Sequence, residues 1–126
     1  MFDLPLLQFS VAGRTGAPQW FAEVVATFGL LVTILGCVPF KPDFVAVAVG
    51  LYITAAYWFT ASTSFANPAV TIARALTDTF AGINPAHVLP FLVAQVIGAL
   101  AGWGVMAWLL RSDVRQAAAV ELAKAR

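Results

Sequence analysis

Charged side chains are scarce in this sequence. Only 10% of its 126 residues are charged, whereas 61% are hydrophobic. A soluble domain usually carries about 25% charged residues, so this chain cannot cover itself with a water-facing surface. The formal net charge of +1 and the lack of a basic stripe argue against nucleic-acid binding. The composition therefore predicts a protein whose main partner is the lipid bilayer.

Groups that could carry out catalysis or hold a metal are also rare. The one cysteine, Cys37, lies in an apolar run, and the one histidine, His87, has no second metal ligand near it in sequence. A disulfide within the chain or a cysteine metal site is thereby excluded. The sequence shows no carboxylate pair and no nucleophile with a base. We therefore predict no catalytic residues, no metal and no cofactor, and we expect that the protein is not an enzyme.

Long apolar blocks make up most of the chain. They cover about residues 19–38, 44–61 and 88–110. A helix of about 20 residues is roughly 30 Å long, which matches the hydrocarbon core of a bilayer. Prolines and charges interrupt the pattern at 39–43, and Asn84-Pro85 supply a helix cap and a first-turn proline before the last block. The pattern predicts an all-α membrane protein with three transmembrane helices.

Basic residues predict how these helices are oriented. With three spans, the turn between the first two lies on the same side as the C-terminal tail, residues 111–126. That side carries Lys41, Arg111, Arg115, Lys124 and Arg126. The other side carries Arg14, in an N-terminal segment 1–17 that we expect at the membrane surface, and Arg74. The positive-inside rule places the N-terminus outside and the tail in the cytoplasm.

A helix too short to cross the membrane lies between the second and third spans. Asn67 is a preferred N-cap and Pro68 suits the first helical position, so we predict a helix over about residues 68–79. Its length of roughly 16 Å reaches only the middle of a membrane. This half-helix has to enter and return, and the non-helical stretch before it has to line a watery cavity. The positive end of the helix dipole repels cations there.

Asn67-Pro68-Ala69 resembles the Asn-Pro-Ala motif at the second re-entrant half-helix of the aquaporin, or major intrinsic protein, family. The order of the elements is similar to the C-terminal half of that family, and Thr63 to Phe80 is similar to its bacterial branch found beside arsenic-resistance genes. The resemblance covers about residues 16–111. It implies half of an aquaporin-like inverted-repeat fold in a bacterial inner membrane. It also implies that the Asn67 amide donates a hydrogen bond to the permeating solute.

A selectivity filter is implied by the same resemblance. The arginine usual three residues after the asparagine is replaced by Val70, and the other filter positions of this half fall on Ala55 and Ser64. These small side chains imply a wide filter, suited to glycerol or neutral metalloid hydroxides such as arsenite as well as to water. Glu23 is implied to accept hydrogen bonds from the backbone of the re-entrant loop. The alternative for Glu23 is an interfacial glutamate that touches headgroups.

Other motifs have simpler structural interpretations. Asn84-Pro85-Ala86 repeats the tripeptide, but we expect an ordinary helix start there. Arg74 could line the pore, although we favour a local ion pair with Asp78, four residues later. Gly98 and Gly102 predict a face that packs closely against another helix.

A pore of this family has two inverted halves, and the sequence supplies one. We expect the other half to be a separately encoded chain or a second copy inserted the other way, within a higher oligomer. The bias of basic residues favours the separate chain. The predicted function is half of a passive channel for small uncharged solutes. The rival hypothesis is a non-conducting protein, either truncated or a structural subunit that binds channel helices through the Gly98 face.

Overall fold

The fold of the protein is given by a computed structural model that describes Pro5 and residues 7–111. Within that part of the chain, every regular element is helical and no strand occurs. The α-helices are α1 (Ala17–Cys37), α2 (Val45–Phe59), α3 (Pro68–Ala75) and α4 (Val88–Leu109). Helices containing α1, α2 and α4 are long and apolar enough to cross a membrane. The predicted fold class, three spans plus one short helix, is confirmed.

Prolines mark where the long helices begin. Pro18 lies in the first turn of α1, and short 3-10 turns at Pro42–Phe44 and Pro85–His87 lead into α2 and α4. Proline suits these places because the first N–H groups of a helix have no partner within it. Asn84 caps the second 3-10 turn by accepting a hydrogen bond from Ala86 N. The repeated tripeptide is therefore a helix start, as we expected.

Helix α3 is shorter than predicted. It has 8 residues, from Pro68 to Ala75, and so is about 12 Å long, whereas we expected it to continue to about residue 79. Its last carbonyl groups are bonded outside the helix, because Ser10 N donates to Ala75 O and Gln8 N donates to Leu76 O, both at 3.1 Å. The segment that precedes α1 thus ends the half-helix.

Helices α1 and α4 pack in close contact through two glycines. A β-carbon at Gly98 would overlap the carbonyl oxygen of Val24, and one at Gly102 would lie 2.9 Å from the carbonyl oxygen of Phe28. Small residues allow the backbones to approach in this way. The predicted packing face is therefore occupied by α1 of the same chain. This occupied face does not support the hypothesis of a structural subunit that binds another chain through Gly98.

Helix α2 packs against α1 along one side. The Tyr52 hydroxyl donates to Ala26 O at 2.9 Å, and its ring lies against Gly29, where a β-carbon would overlap it. Large apolar side chains elsewhere on α2, such as Leu51 and Trp58, are exposed by 64% and 88%. In a bilayer such a surface faces lipid or another apolar protein surface.

Candidate pore loop

The carboxylate of Glu23 is the centre of a buried hydrogen-bond network. Glu23 lies in α1 and is 0% exposed. Its Oε1 atom accepts from Phe65 N at 2.8 Å and from Ser62 Oγ at 2.6 Å, and its Oε2 atom accepts from Ala66 N at 2.9 Å. The interfacial alternative, in which Glu23 touches lipid headgroups, is excluded by this burial. The carboxylate is bonded to the loop that leads into α3.

The loop backbone adopts a conformation that ordinary residues rarely take. Thr63, Ser64 and Ala66 have φ values of 61°, 48° and 50°, in the left-handed region that is unfavourable for residues with a β-carbon. Within residues 7–111, no hydrogen bond ends on the carbonyl oxygens of residues 63–66. These oxygens have no partner among the described residues, and Ser64, Phe65 and Ala66 are each at most 4% exposed.

Asn67 caps the N-terminus of α3 with its side-chain oxygen, and this leaves its own amide N–H groups unused. Its Oδ1 atom accepts from Ala69 N at 2.8 Å and from Val70 N at 3.4 Å. The residue is exposed, and its Nδ2 atom has no acceptor in the described part of the chain. The amide N–H groups of Asn67 and the carbonyl groups of the preceding loop therefore both lack partners among the described residues. That this amide binds a permeating solute remains a prediction.

Gln95, which lies on α4, links the half-helix to α1, and we did not identify it from the sequence. Its Nε2 atom donates to Glu23 Oε2 and to Thr71 Oγ1, both at 2.8 Å. Thr71 Oγ1 in turn donates to the carbonyl oxygen of Asn67 at 3.0 Å. The available signal was a glutamine in the middle of the third apolar block, where a polar side chain needs a partner.

Arg14, in the segment before α1, holds the loop by hydrogen bonds. This residue too was not predicted as part of the site. Its guanidinium group donates to Gly82 O at 2.7 Å, Phe80 O at 3.0 Å and Ser62 O at 3.1 Å. Its backbone N–H donates to His87 Nδ1 at 3.1 Å. Only 8% of Arg14 is exposed. The segment before α1 is therefore docked on the loop and does not lie wholly at the surface.

Arg74 does not form the predicted ion pair. Its Nη2 atom donates to the Tyr57 hydroxyl on α2, while Asp78 Oδ1 accepts from Val11 N at 3.2 Å. The guanidinium carbon of Arg74 lies 4.4 Å from the centre of the Phe65 ring, and that of Arg14 lies 5.1 Å from it. Burial lowers the pKa of Arg14, and the nearby positive charge of Arg74 lowers it further. Two cations thus share one aromatic ring.

The predicted filter residues differ in their surroundings. Ala55 on α2 is exposed, and Val70 on α3 is half-buried against the apolar cluster of Phe65, Ala75, Ile83 and Phe91. Ser64 is only 2% exposed, and its hydroxyl has no hydrogen-bond partner among the described residues. Their assignment to a filter remains a prediction. The described residues also include no group of three or more His, Cys, Asp or Glu that could hold a metal ion.

Comparison with known proteins identifies the family. The family sequence model described as Major intrinsic protein matches residues 14–126. The chain belongs to the major intrinsic protein family. Aquaglyceroporin AqpS of Rhizobium meliloti (strain 1021) is 55% identical to it over 111 residues, which cover 88% of this chain and 48% of AqpS. The chain therefore spans about half the length of that curated relative. No solved structure matches it.

Membership of the major intrinsic proteins gives the loop its functional context. Proteins of this family are multi-pass channels that pass small neutral solutes through a lipid membrane, and they are not enzymes. The three membrane-crossing helices of this chain fit such a bacterial membrane protein. The free donors and acceptors at the tip of α3 are the groups that a neutral hydrogen-bonding solute requires.

Proposed function

We propose that this chain forms one wall of a passive channel for small neutral solutes and that it acts as the C-terminal half of an aquaporin-like pore. The observation that carries the proposal is that hydrogen-bond donors and acceptors at the start of α3 have no partner. The amide N–H groups of Asn67 and the carbonyl oxygens of residues 63–66 are left without partners within the described chain. A solute with hydroxyl groups can accept from one and donate to the other. The positive end of α3 disfavours cations at the same place.

The proposed solutes are glycerol and neutral metalloid hydroxides such as arsenite, together with water. Ala55, Ser64 and Val70 are all small, so a filter built from them is wide on this side. The name of the relative AqpS, an aquaglyceroporin, supports glycerol. The similarity of Thr63 to Phe80 to the arsenic-associated bacterial branch supports arsenite.

We propose further that a complementary half completes the pore. AqpS is about twice as long as the matched region, and an inverted-repeat channel needs a second half-helix from the other face. This half is either part of a longer polypeptide, a separate chain or a second copy. We place segment 1–17 outside, the half-aquaporin domain at 18–110, and the tail 111–126 in the cytoplasm. Residues 112–126 of this tail lie outside the described residues.

Transport into lipid vesicles tests the channel directly. We expect rapid uptake of glycerol, arsenite and water when the chain is reconstituted together with a complementary half, and little uptake when it is reconstituted alone. Stopped-flow light scattering measures the rates. Absence of uptake in both preparations would contradict the channel and leave the non-conducting alternative.

The repeated tripeptide provides a matched control for the pore asparagine. Asn67→Ala and Asn84→Ala each remove an Asn cap in front of a proline, and each change costs about 0.5–2 kcal/mol of helix stability. Only Asn67→Ala also removes the free amide donors of the loop. We expect it to lower glycerol uptake at least tenfold more than Asn84→Ala. Equal effects would show that the asparagine only stabilises the helix.

Labelling in intact cells tests the orientation. A cysteine is added at the C-terminal end of a Cys37→Ser variant, and the cells are treated with a maleimide that does not cross membranes. We expect labelling only after the membrane is opened, because the basic residues hold the tail in the cytoplasm. If intact cells are labelled about half as much as opened cells, equal numbers of tails lie on the two sides, which would indicate chains inserted both ways and would favour pairing with a second copy.

A further inference from the structure

Arg74 carries a positive charge that the described residues do not compensate. Its Nη2 atom donates to Tyr57, but its Nη1 atom is buried and has no hydrogen-bond partner within residues 7–111. Glu23 already accepts from four donors, and Asp78 Oδ1 accepts from Val11. A buried donor on a charged group is unfavourable unless an acceptor reaches it. Arg74 therefore keeps a donor that the described residues do not use.

Arg14 differs from Arg74 in how its hydrogen-bond donors are used. Both guanidinium groups lie over the Phe65 ring. Arg14, however, donates to three carbonyl oxygens of the loop and the segment that follows α3, so its hydrogen-bonding capacity serves the fold. Arg74 donates one hydrogen bond within the described residues, to the hydroxyl oxygen of Tyr57. The fold therefore holds Arg74 in place without using up its donors.

The position of Arg74 on α3 relates it to the proposed filter. Thr71 and Ala75 form the buried face of this helix. Val70 and Arg74 are four residues apart, so they lie on one face, with Arg74 about 6 Å farther from the N-terminal tip. Its bond to Tyr57 shows that this face is turned toward α2. A solute moving along the face would meet Arg74 before it reached Val70.

We propose that Arg74 is a specificity-determining residue of this channel. Its guanidinium group, held by the Tyr57 hydroxyl and the Phe65 ring, repels cations at the outer end of the half-helix. Its unused donors bind the oxygen atoms of polyols and neutral metalloid hydroxides, since a guanidinium group is a multiple hydrogen-bond donor. This inference rests on the proposed function and adds a second selective layer outside Val70.

Two solutes of matched shape test the proposal. Urea is neutral, whereas the guanidinium ion has the same planar shape and one positive charge. Vesicles that contain the chain with its complementary half are compared for tracer uptake of both at a clamped membrane potential. We expect Arg74→Gln to raise the guanidinium-to-urea uptake ratio at least tenfold. Arg111→Gln is the matched control, because it removes the same charge from an exposed residue just past the C-terminal end of α4.

The outcomes separate the two proposals. If the unaltered protein passes neither urea nor glycerol, the channel itself is refuted. If it passes them, and Arg74→Gln leaves the guanidinium-to-urea ratio within twofold of the unaltered value, the role of Arg74 is overturned. It is also overturned if Arg111→Gln raises the ratio as much as Arg74→Gln does.

A second variant guards against misfolding of Arg74→Gln. Arg74→Cys in a Cys37→Ser background is reconstituted once, and portions are treated with a cationic or an anionic thiol reagent of similar size. We expect the guanidinium-to-urea ratio to be at least fivefold lower after the cationic reagent. Equal ratios in the two portions would overturn the proposal, because both come from the same folded protein.

Discussion

Replacing Glu23 by glutamine exchanges one acceptor oxygen for an NH₂ group of nearly the same size. Each carboxylate oxygen accepts one loop N–H and one side-chain donor. Oε1 pairs with Phe65 N and Ser62 Oγ, and Oε2 pairs with Ala66 N and Gln95 Nε2. Whichever oxygen is replaced, one backbone N–H of the loop then faces another donor.

The size of the effect follows from which partners can adapt. The Ser62 hydroxyl can turn and accept from the new amide, and Gln95 can offer its Oε1 atom, which is buried without a partner among the described residues. A backbone N–H cannot become an acceptor. One buried, unsatisfied N–H costs about 1–3 kcal/mol, so the loop should open roughly 5- to 150-fold more often.

Hydrogen–deuterium exchange of the loop in lipid nanodiscs measures this opening. We expect exchange of residues 62–67 to accelerate by the factor given above in Glu23→Gln. Thr27→Val is the matched control, since Thr27 is buried one turn later on α1 and its hydroxyl has no partner within the described residues. The reasoning is refuted if Glu23→Gln exchanges within twofold of the unaltered protein, or if Thr27→Val accelerates exchange equally.

Three further predictions concern packing and the loop. Gly98→Ala should destabilise the α1–α4 pair by about 1–3 kcal/mol, measured by denaturation in detergent, whereas Gly104→Ala, whose β-carbon meets no atom within 4 Å, should not. Arg14→Gln should accelerate loop exchange at least fivefold, because it removes bonds to three carbonyl groups, while Arg111→Gln should not. Gln95→Met should accelerate exchange in α3 without unfolding α4, and unchanged exchange would show that the Gln95 link does not hold the half-helix.

The elements that could be predicted are those fixed by neighbouring residues. Long apolar blocks have to leave water, and the three long helices begin and end within about two residues of the predicted blocks. The start of α3 was predictable because Asn67 and Pro68 act on the N–H groups of the next few residues. The end of α3 was not, because the donors that terminate it come from Gln8 and Ser10.

Side-chain partners far apart in sequence were harder to predict. Arg74 and Asp78 had the spacing of a helical ion pair, but α3 ends before Asp78 and the guanidinium group turns to Tyr57 instead. The small-residue pattern correctly indicated close packing at Gly98, yet nothing in it specified α1 as the neighbour. In both cases the sequence specified the kind of contact and left its partner open.

By itself, then, the sequence determined the class of protein, the three long apolar helices and the start of the short helix after Asn67, since these depend on hydropathy and on capping over a few positions. Only the tertiary structure decided which polar groups hold the pore loop and which remain free. Gln95 meets Glu23 across 72 positions and Arg14 meets Gly82 across 68. In an apolar interior an unpaired donor is unfavourable, and the packing of α1 against α4 determines which acceptors come within reach.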